Sequence, residues 1–224
     1  MPRWSWVIVF GLAFAGSHLA LSSLALRRPL IARLGARGFQ GFYSLVALAT
    51  FVPWVWAWWG ARHTGPLLWF LRDVPAVRWL AIALALAGFA LVLLALVQPS
   101  PTGLVPGAAA RPRGVNRITR HALFMGIALW GAAHVLVNGW ISDVAFFGGL
   151  ALFAVVGSLH QDARKLATEG ARLAEFFRET SVTPFAAILS GRQRLVLGEL
   201  AWPAVVLALA AGAVLYLLHP RLFA

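Results

Sequence analysis

Apolar residues run through this chain in long stretches that polar residues seldom interrupt. Six of these stretches are long enough to cross about 30 Å of hydrocarbon as α-helices, since each helical residue adds 1.5 Å. The pattern predicts an all-α fold, a polytopic transmembrane helical bundle that forms a single domain over residues 1–224. The spans are expected at about Trp4–Leu26, Gly38–Trp59, Val77–Val97, Thr119–Asn138, Val144–His160 and Glu199–Leu218.

Lysine and arginine are distributed unevenly between these stretches. The connections after the first, third and fifth predicted spans hold four, four and six of them, and the other side holds five. Under the positive-inside rule, the odd-numbered connections face the cytoplasm. Both termini are therefore predicted on the opposite side of the membrane.

The composition agrees with a membrane protein and excludes several kinds of site. The chain is 61% hydrophobic and 12% charged, whereas soluble domains are about 45–50% apolar and 25% charged. The formal net charge is +12, and the arginine and lysine residues that produce it lie between the apolar stretches. Lipid, and not nucleic acid, is therefore the expected partner. Because the chain has no cysteine, disulfides, iron–sulfur clusters, thiolate ligation of haem and covalent haem attachment are excluded.

Three shorter segments have their own pattern. The segment 161–180 places Leu166, Leu173 and Phe177 on one face of a charged helix, which predicts an amphipathic helix on the cytoplasmic interface. The segment 180–195 is too short to span and is expected to pack back against the helices. The tryptophans of the second span, which follow Pro53, are interpreted as an interfacial belt.

Two of the six histidines, His18 and His134, lie deep inside predicted spans. An ionisable residue there is costly unless it is bonded to something, so each is a candidate functional residue. Small residues such as Gly11 and Gly131 share their helical faces, which leaves room for a flat macrocycle but also permits close helix packing. Neutral imidazole is a usual haem ligand, and an interhelical hydrogen bond or a proton relay is the competing interpretation.

His121 follows Arg117 and Arg120 at the start of the fourth predicted span. Its ring is a candidate for binding a phosphate, a lipid headgroup or a cofactor beside the two arginines. Orientation of the span by positive charge is the competing interpretation. The chain has no HExxH motif and no glycine-rich phosphate loop, so it shows no hydrolase or kinase signature.

Three separated motifs carry a family resemblance. RITRHALFMGIALWGAAHVLVNG, the SHLALSS of the first span, and the late TSVTPFAAILSGRQRL together resemble the NnrU family of bacterial inner-membrane proteins linked to nitrite and nitric oxide metabolism. The same motifs are similar to those of the 15-cis-zeta-carotene isomerases, haem b membrane enzymes of plants and cyanobacteria. The resemblance covers residues from about 5 to about 200, and Ala122 stands where the family usually has proline.

The resemblance implies a cofactor, a location and two kinds of function. Haem b would be held by His18 and His134 as axial metal ligands, with His121 as a further cofactor-binding residue and His63 near another family histidine. The protein would be a multi-pass inner-membrane protein with periplasmic termini. It would act in denitrification or in isomerase-like chemistry, with nitric oxide or a lipophilic polyene as ligand.

Two other functions compete with this hypothesis. A non-catalytic accessory factor for the assembly or expression of nitrogen-oxide reductases would have the same six spans. A membrane methyltransferase of the isoprenylcysteine type would share an RH pair at the start of a late helix. This chain has RHA in place of RHP and lacks the adjacent acidic pair of that family.

Overall fold

The computed structural model describes residues 1–103 and 110–223, and within them the chain is helical and connected by short turns. A π-helical turn covers Val144–Gly148, and a 3-10 turn covers Leu197–Glu199. The predicted all-α class is confirmed. The helices are α1 Arg3–Ser22, α2 Leu24–Gly60, α3 Pro75–Val97, α4 Val115–Ile118, α5 Ala122–Val137, α6 Ile141–Asp143, α7 Gly149–Glu179, α8 Ala186–Leu189 and α9 Trp202–Phe223.

Five helical segments of the described chain are long and apolar enough to cross a membrane: Arg3–Ser22, Leu24–Gly60, Pro75–Val97, Ile141–Glu179 and Trp202–Leu222. The predicted fourth span corresponds to α5, which is apolar but has only 16 residues, or roughly 24 Å of helix. The protein is therefore a membrane protein with several spans. The stretch 98–114 is rich in proline, glycine and alanine, which predicts a loop, and its residues 104–109 lie outside the described residues.

Two predicted boundaries differ from the observed ones. Ser23 alone separates α1 from α2, and the arginine-rich connection expected there is helical up to a break at Gly35, where φ is 70°. The predicted fifth span and the predicted amphipathic helix both lie within one helix, α7, with non-helical angles at Glu169. Hydropathy falls along these segments, but leucine, alanine, arginine and glutamate keep a high helix propensity, so the helix continues.

The chain forms two compact units. The first comprises Met1–Ala81 and Gly131–Arg164, and the second comprises Ile82–Trp130 and Lys165–Ala224. In the first unit α1 packs along α2, and the indole of Trp54 fills the space between the two glycines Gly11 and Gly149. A Cβ atom added at either glycine would lie about 3 Å from the Trp54 ring.

The interpretation of the second-span tryptophans as a belt is wrong for two of the four, and for the other two it stays a prediction. Trp56 and Trp59 are exposed, as a belt requires, whereas Trp54 and Trp58 are buried in the first unit. Trp58 stacks on Phe146 with ring centroids 4.7 Å apart and planes 13° apart. Residues at i and i+4 share a helical face, so Trp54 and Trp58 turn together toward the neighbouring helices.

The second unit depends on close helix packing and a small apolar core. A Cβ atom at Gly88 would lie 2.6 Å from the carbonyl oxygen of Gly126, and one at Gly126 would lie equally close to that of Gly88. Helices in lipid associate through such small residues, because the lipid supplies no hydrophobic driving force between them. Next to this crossing lies a cluster of buried apolar side chains, Leu91, Leu94, Val115, Ala122 and Met125.

The connection after α2 is paired with the turn between α5 and α6. Leu67 forms an antiparallel bridge with Trp140, and the Leu68 N–H donates to the Gly139 carbonyl at 2.8 Å. The Ile141 N–H donates to the Pro66 carbonyl at 3.0 Å. Part of the backbone of the connection after α2 is thus satisfied by the turn between α5 and α6.

Candidate functional site

His18 is half-buried in α1, and its ring is surrounded by aromatic side chains. Its Nδ1 lies 3.1 Å from the carbonyl oxygen of Phe14 on the preceding turn. Because a carbonyl can only accept, this contact requires a proton on Nδ1 and leaves the lone pair on Nε2. The rings of Phe14, Tyr43 and Phe153 have centroids 4.2, 5.1 and 5.4 Å from that of His18. This tautomer is the one in which metal-ligating histidines are held.

His134 is half-buried in the last turn of α5 and belongs to the same unit as His18. Its ring stacks on that of Phe147, with centroids 4.4 Å apart and planes 19° apart. The helix ends at Val137, close to the predicted end at Asn138 and Gly139. The π-helical turn positions Phe147, so the local irregularity between α6 and α7 determines which ring packs on His134.

A continuous series of aromatic rings links the two histidines. Phe14 contacts Trp54 at 5.4 Å between centroids, Trp54 contacts Phe146 at 5.1 Å, and Phe146 contacts Phe147 at 5.2 Å. Trp54 is 1% exposed, and within the described residues its indole N–H has no hydrogen-bond partner. A buried donor without an acceptor costs about 1–3 kcal/mol, so this position favours a group that can accept a hydrogen bond.

The two glycines beside the histidines serve close packing. A Cβ atom at Gly11 would lie 2.9 Å from the Trp54 ring, and one at Gly131 would lie 2.5 Å from the Phe147 carbonyl oxygen. Of the two roles that the sequence left open for these small residues, the structure shows helix and side-chain contact at both positions. Space for a macrocycle is not created by Gly11 or Gly131 themselves.

The chemistry of the donor set fits a haem better than a bare metal ion. Within the described residues no group of three or more histidine, cysteine, aspartate or glutamate side chains could hold a free ion. Haem iron already has four porphyrin nitrogens and needs at most two protein ligands, which neutral imidazoles supply. His18 offers a free Nε2 within an aromatic wall, and Trp54 offers a buried donor nearby. The assignment of His18 and His134 as haem ligands stays a prediction.

His121 lies in the second unit and is 3% exposed. Its ring packs edge-on against Phe124 at 5.7 Å, and its backbone N–H donates to the Thr119 hydroxyl at 3.2 Å. A ring buried in this way is not presented to lipid headgroups, which was one of the roles considered for it. Its role in binding a cofactor stays a prediction.

The arginines before His121 bind the late part of the chain. Arg117 donates to both carboxylate oxygens of Glu199 and to the side-chain oxygen of Gln193. Arg120 donates to the Thr180 carbonyl at 2.9 Å and lies over the Phe177 ring. These contacts are structural, so both arginines join separate parts of the second unit in addition to any effect on orientation.

The RITRH and TSVTPF motifs pack on each other within the second unit. The Thr119 hydroxyl donates to the Val182 carbonyl at 2.6 Å, and the Arg120 N–H donates to the Ser181 carbonyl at 3.0 Å. The Phe185 N–H donates to the Ile118 carbonyl at 2.9 Å. The expectation that the segment after α7 packs back onto the helices is therefore met for its first residues.

The structure contains a cluster around Asp143 that the sequence did not predict. Its carboxylate is fully buried and accepts hydrogen bonds from Trp58 Nε1 at 2.9 Å and from His63 Nδ1 at 2.6 Å. His63 has a φ of 53°, which is uncommon for a residue with a side chain, and its own side chain is half-exposed. An acid at the end of a span is usually inexpensive, so Asp143 was not distinguished from the other terminal acids.

Comparison with known proteins identifies the family. The chain matches the family described as NnrU protein over residues 7–224. It is 33% identical over 195 residues to the chloroplastic 15-cis-zeta-carotene isomerase of Arabidopsis thaliana, a match that covers 82% of this chain and 50% of that protein. The corresponding Zea mays isomerase is 28% identical over 196 residues, covering 84% and 52%.

The similarity to these isomerases covers only part of their length. The chain spans about half the length of these curated relatives. No solved structure matches it. With the family match extending over nearly the whole sequence and with helices of membrane-spanning length and hydropathy, the chain is a membrane protein that belongs to the NnrU family.

Proposed function

We propose that this protein binds haem b through His18 and His134 and promotes isomerase-like chemistry on a lipophilic polyene. The observation that carries the proposal is the placement of both histidines in one unit, where aromatic rings line the path between them. The names of the two chloroplastic relatives support this substrate class. A location in the bacterial inner membrane, with periplasmic termini, belongs to the same proposal.

Each residue contributes by binding, orientation or exclusion of water. Bound haem would supply an iron centre that exchanges electrons and accepts a ligand's lone pair or π electrons. The Phe14 carbonyl keeps the His18 proton on Nδ1 and so directs the Nε2 lone pair away from its own helix. Phe147 fixes the plane of the His134 ring by stacking. The aromatic side chains around both rings exclude water and suit a flat, conjugated ligand.

The first test is the haem content and absorption spectrum of the protein. The protein is expressed with ample haem, purified in detergent and measured oxidised and then reduced with dithionite. We expect about one haem per chain and sharp α and β bands on reduction, as a six-coordinate haem b gives. His18→Ala and His134→Ala are each expected to lower haem content at least about tenfold or to remove the six-coordinate spectrum, because each removes one axial ligand.

His219→Ala is the matched control, since His219 lies exposed near the end of α9. It should retain the wild-type spectrum. Wild-type haem content and spectrum in both the His18 and the His134 variants would contradict the ligand assignment. The activity is tested separately, by incubating the reduced protein in liposomes with a 15-cis polyene and separating the isomers chromatographically. A loaded protein that produces no isomer would leave the haem assignment standing and contradict the isomerase assignment.

The link to nitrite and nitric oxide metabolism is a further prediction from the family. It is distinguished by adding nitric oxide to the reduced protein, which would displace one axial imidazole and shift the absorption maximum. A purified protein that lacks haem in every preparation would favour the accessory-factor hypothesis. In that case deletion of the gene should change the level of a nitrogen-oxide reductase.

A further inference from the structure

The segment between α7 and α9 exposes several apolar side chains although it is a connection and not a membrane-spanning helix. We call residues 185–197 the α8 loop, because the short helix α8 lies within it. Leu189 is 85% exposed and Phe185 is 46% exposed. The remaining exposed apolar residues of the loop follow α8 and are Leu195, Val196 and Leu197. Such a patch in a short connection indicates an interaction surface.

Hydrogen bonds hold the loop in the conformation that exposes these side chains. Phe185 has a φ of 64°, a left-handed conformation that bulky residues seldom adopt, and its N–H donates to the Ile118 carbonyl. The Ala187 N–H donates to the Ser181 hydroxyl at 3.0 Å. The Ala187 carbonyl in turn accepts from the backbone of Arg192. The exposure of Phe185 and Leu189 is therefore built into the backbone of the loop.

The loop also carries arginines that form no ion pair with a carboxylate of the described chain. Arg178, Arg192 and Arg194 are exposed beside it. Arg192 donates to the Arg178 carbonyl at 2.8 Å, which keeps these two residues together. The nearest acid after the loop, Glu199, already accepts two hydrogen bonds from Arg117. The surface thus combines exposed apolar groups with exposed guanidinium groups that form no ion pair among the described residues.

The loop leads directly into a helix of membrane-spanning length. Trp202, the first residue of α9, is half-exposed and donates its indole N–H to the Leu197 carbonyl at 3.0 Å. Tryptophan concentrates where hydrocarbon meets the headgroup layer. Because the indole donates to Leu197 at the end of the α8 loop, the loop lies beside the start of α9, where we expect a membrane boundary.

We propose that the α8 loop is a binding surface for anionic phospholipid. Phe185 and Leu189 enter the acyl region of the leaflet at which α9 begins, and Arg178, Arg192 and Arg194 pair with headgroup phosphates. Apolar burial combined with arginine–phosphate attraction is the usual chemistry of binding to anionic membrane surfaces. The inference concerns the second unit and does not depend on haem binding.

Site-directed spin labelling tests the position of the loop, because the chain has no native cysteine. The Leu189→Cys variant is labelled in the full-length protein, which is reconstituted in phosphatidylcholine nanodiscs with or without phosphatidylglycerol. We expect the label to be more accessible to oxygen than to a water-soluble nickel chelate, and its depth to increase with phosphatidylglycerol. Glu175→Cys, on an exposed polar position of α7, is the control that should favour the chelate.

A second variant tests the arginines without disturbing the loop. Arg178→Gln combined with Arg194→Gln changes two guanidinium groups that make no side-chain hydrogen bond among the described residues. The dependence of label depth on phosphatidylglycerol should be reduced by at least half, with depth in pure phosphatidylcholine retained. Equal chelate access at positions 189 and 175 would overturn the proposal. Exclusion of both reagents at position 189 would also overturn it, since a second protein surface would then cover the loop.

Discussion

Arg117 donates two parallel hydrogen bonds to Glu199, from Nε to Oε2 at 2.7 Å and from Nη2 to Oε1 at 2.9 Å. The Gly114 N–H adds a third donor to Oε2 at 2.9 Å. The two residues are 82 positions apart in the chain. This pair therefore connects the segment before α5 to the turn before α9.

The Arg117–Glu199 contact predicts a pH dependence of stability. The Arg117 hydrogen bonds lower the pKa of Glu199 from 4.5 to about 2. A carboxylate whose pKa is lower in the folded protein stabilises it above the unfolded value of 4.5, and this stabilisation is lost as the pH falls toward 2. Thermal unfolding should give a lower midpoint for Glu199→Gln than for wild type at neutral pH, with the two converging near pH 2. A constant difference across this range would contradict the prediction.

Replacement of Thr119 by valine should destabilise the second unit. The Thr119 hydroxyl is fully buried, donates to the Val182 carbonyl and accepts from the His121 N–H. Valine keeps the shape but leaves both backbone groups without a partner, at a cost of about 1–3 kcal/mol. Thr119→Ser keeps the hydroxyl and is the control. Reversible unfolding in mixed detergent micelles measures both, and equal stability of the two variants would contradict the role of the hydroxyl.

Two glycines of α1 should respond in opposite directions to alanine. At Gly11 the new methyl group would lie 2.9 Å from the buried Trp54 ring, and such overpacking costs about 1–3 kcal/mol. At Gly16 no neighbouring atom lies within 4 Å, so alanine should stabilise the helix by up to about 1 kcal/mol. Unfolding midpoints of Gly11→Ala and Gly16→Ala test the difference. A similar rise in the unfolding midpoint of both variants would contradict the prediction, because the Trp54 ring would then accommodate the new methyl group without a loss of stability.

Replacement of Asp143 by asparagine should weaken the first unit. Asp143 accepts hydrogen bonds from Trp58 and His63 on separate oxygens, whereas the amide nitrogen of asparagine cannot accept. One of the two donors, the buried Trp58 indole or the half-exposed His63 ring, then loses its acceptor, and the expected loss of stability is about 1–3 kcal/mol. Asp73→Asn, at an exposed acid, should have almost no effect. The free energy of unfolding is measured for both variants. An Asp143→Asn variant as stable as wild type would contradict the role of this carboxylate.

The sequence predicted the features that depend on local hydropathy. The fold class and the approximate positions of five membrane-length helices follow from runs of apolar residues. The depth of His18 and His134 in the membrane stays a prediction, and His134 lies in the last turn of the 16-residue helix α5. The family was identified from motifs, and the match over residues 7–224 confirms it. The helix boundaries at Ser23 and within α7 were less accurate, because hydropathy does not record where a polar helix continues.

The features that depend on contacts between distant residues were not predicted. The burial of Trp54 and Trp58 depends on which face of α2 packs against neighbouring helices. Composition cannot distinguish a packed face from one that faces lipid, because both are apolar. Likewise, Glu199, the partner of Arg117, is distant in the sequence and is brought close to Arg117 only by the fold. Asp143 was missed for the same reason, since its partner His63 is 80 residues away.

The pairing of residues 66–68 with residues 139–141 limits where this protein can be modified. Exposed connections normally accept inserted sequences, since few of their backbone groups bind other parts of the chain. Here an insertion at Leu67 would separate the two backbone hydrogen bonds of this bridge and move His63 relative to Asp143. A reporter enzyme or epitope inserted at this position would disrupt the connection. The side of the membrane that it reported would then be that of a misfolded protein. Membrane topology is better mapped from single cysteines at exposed positions, which add no residues to the connection.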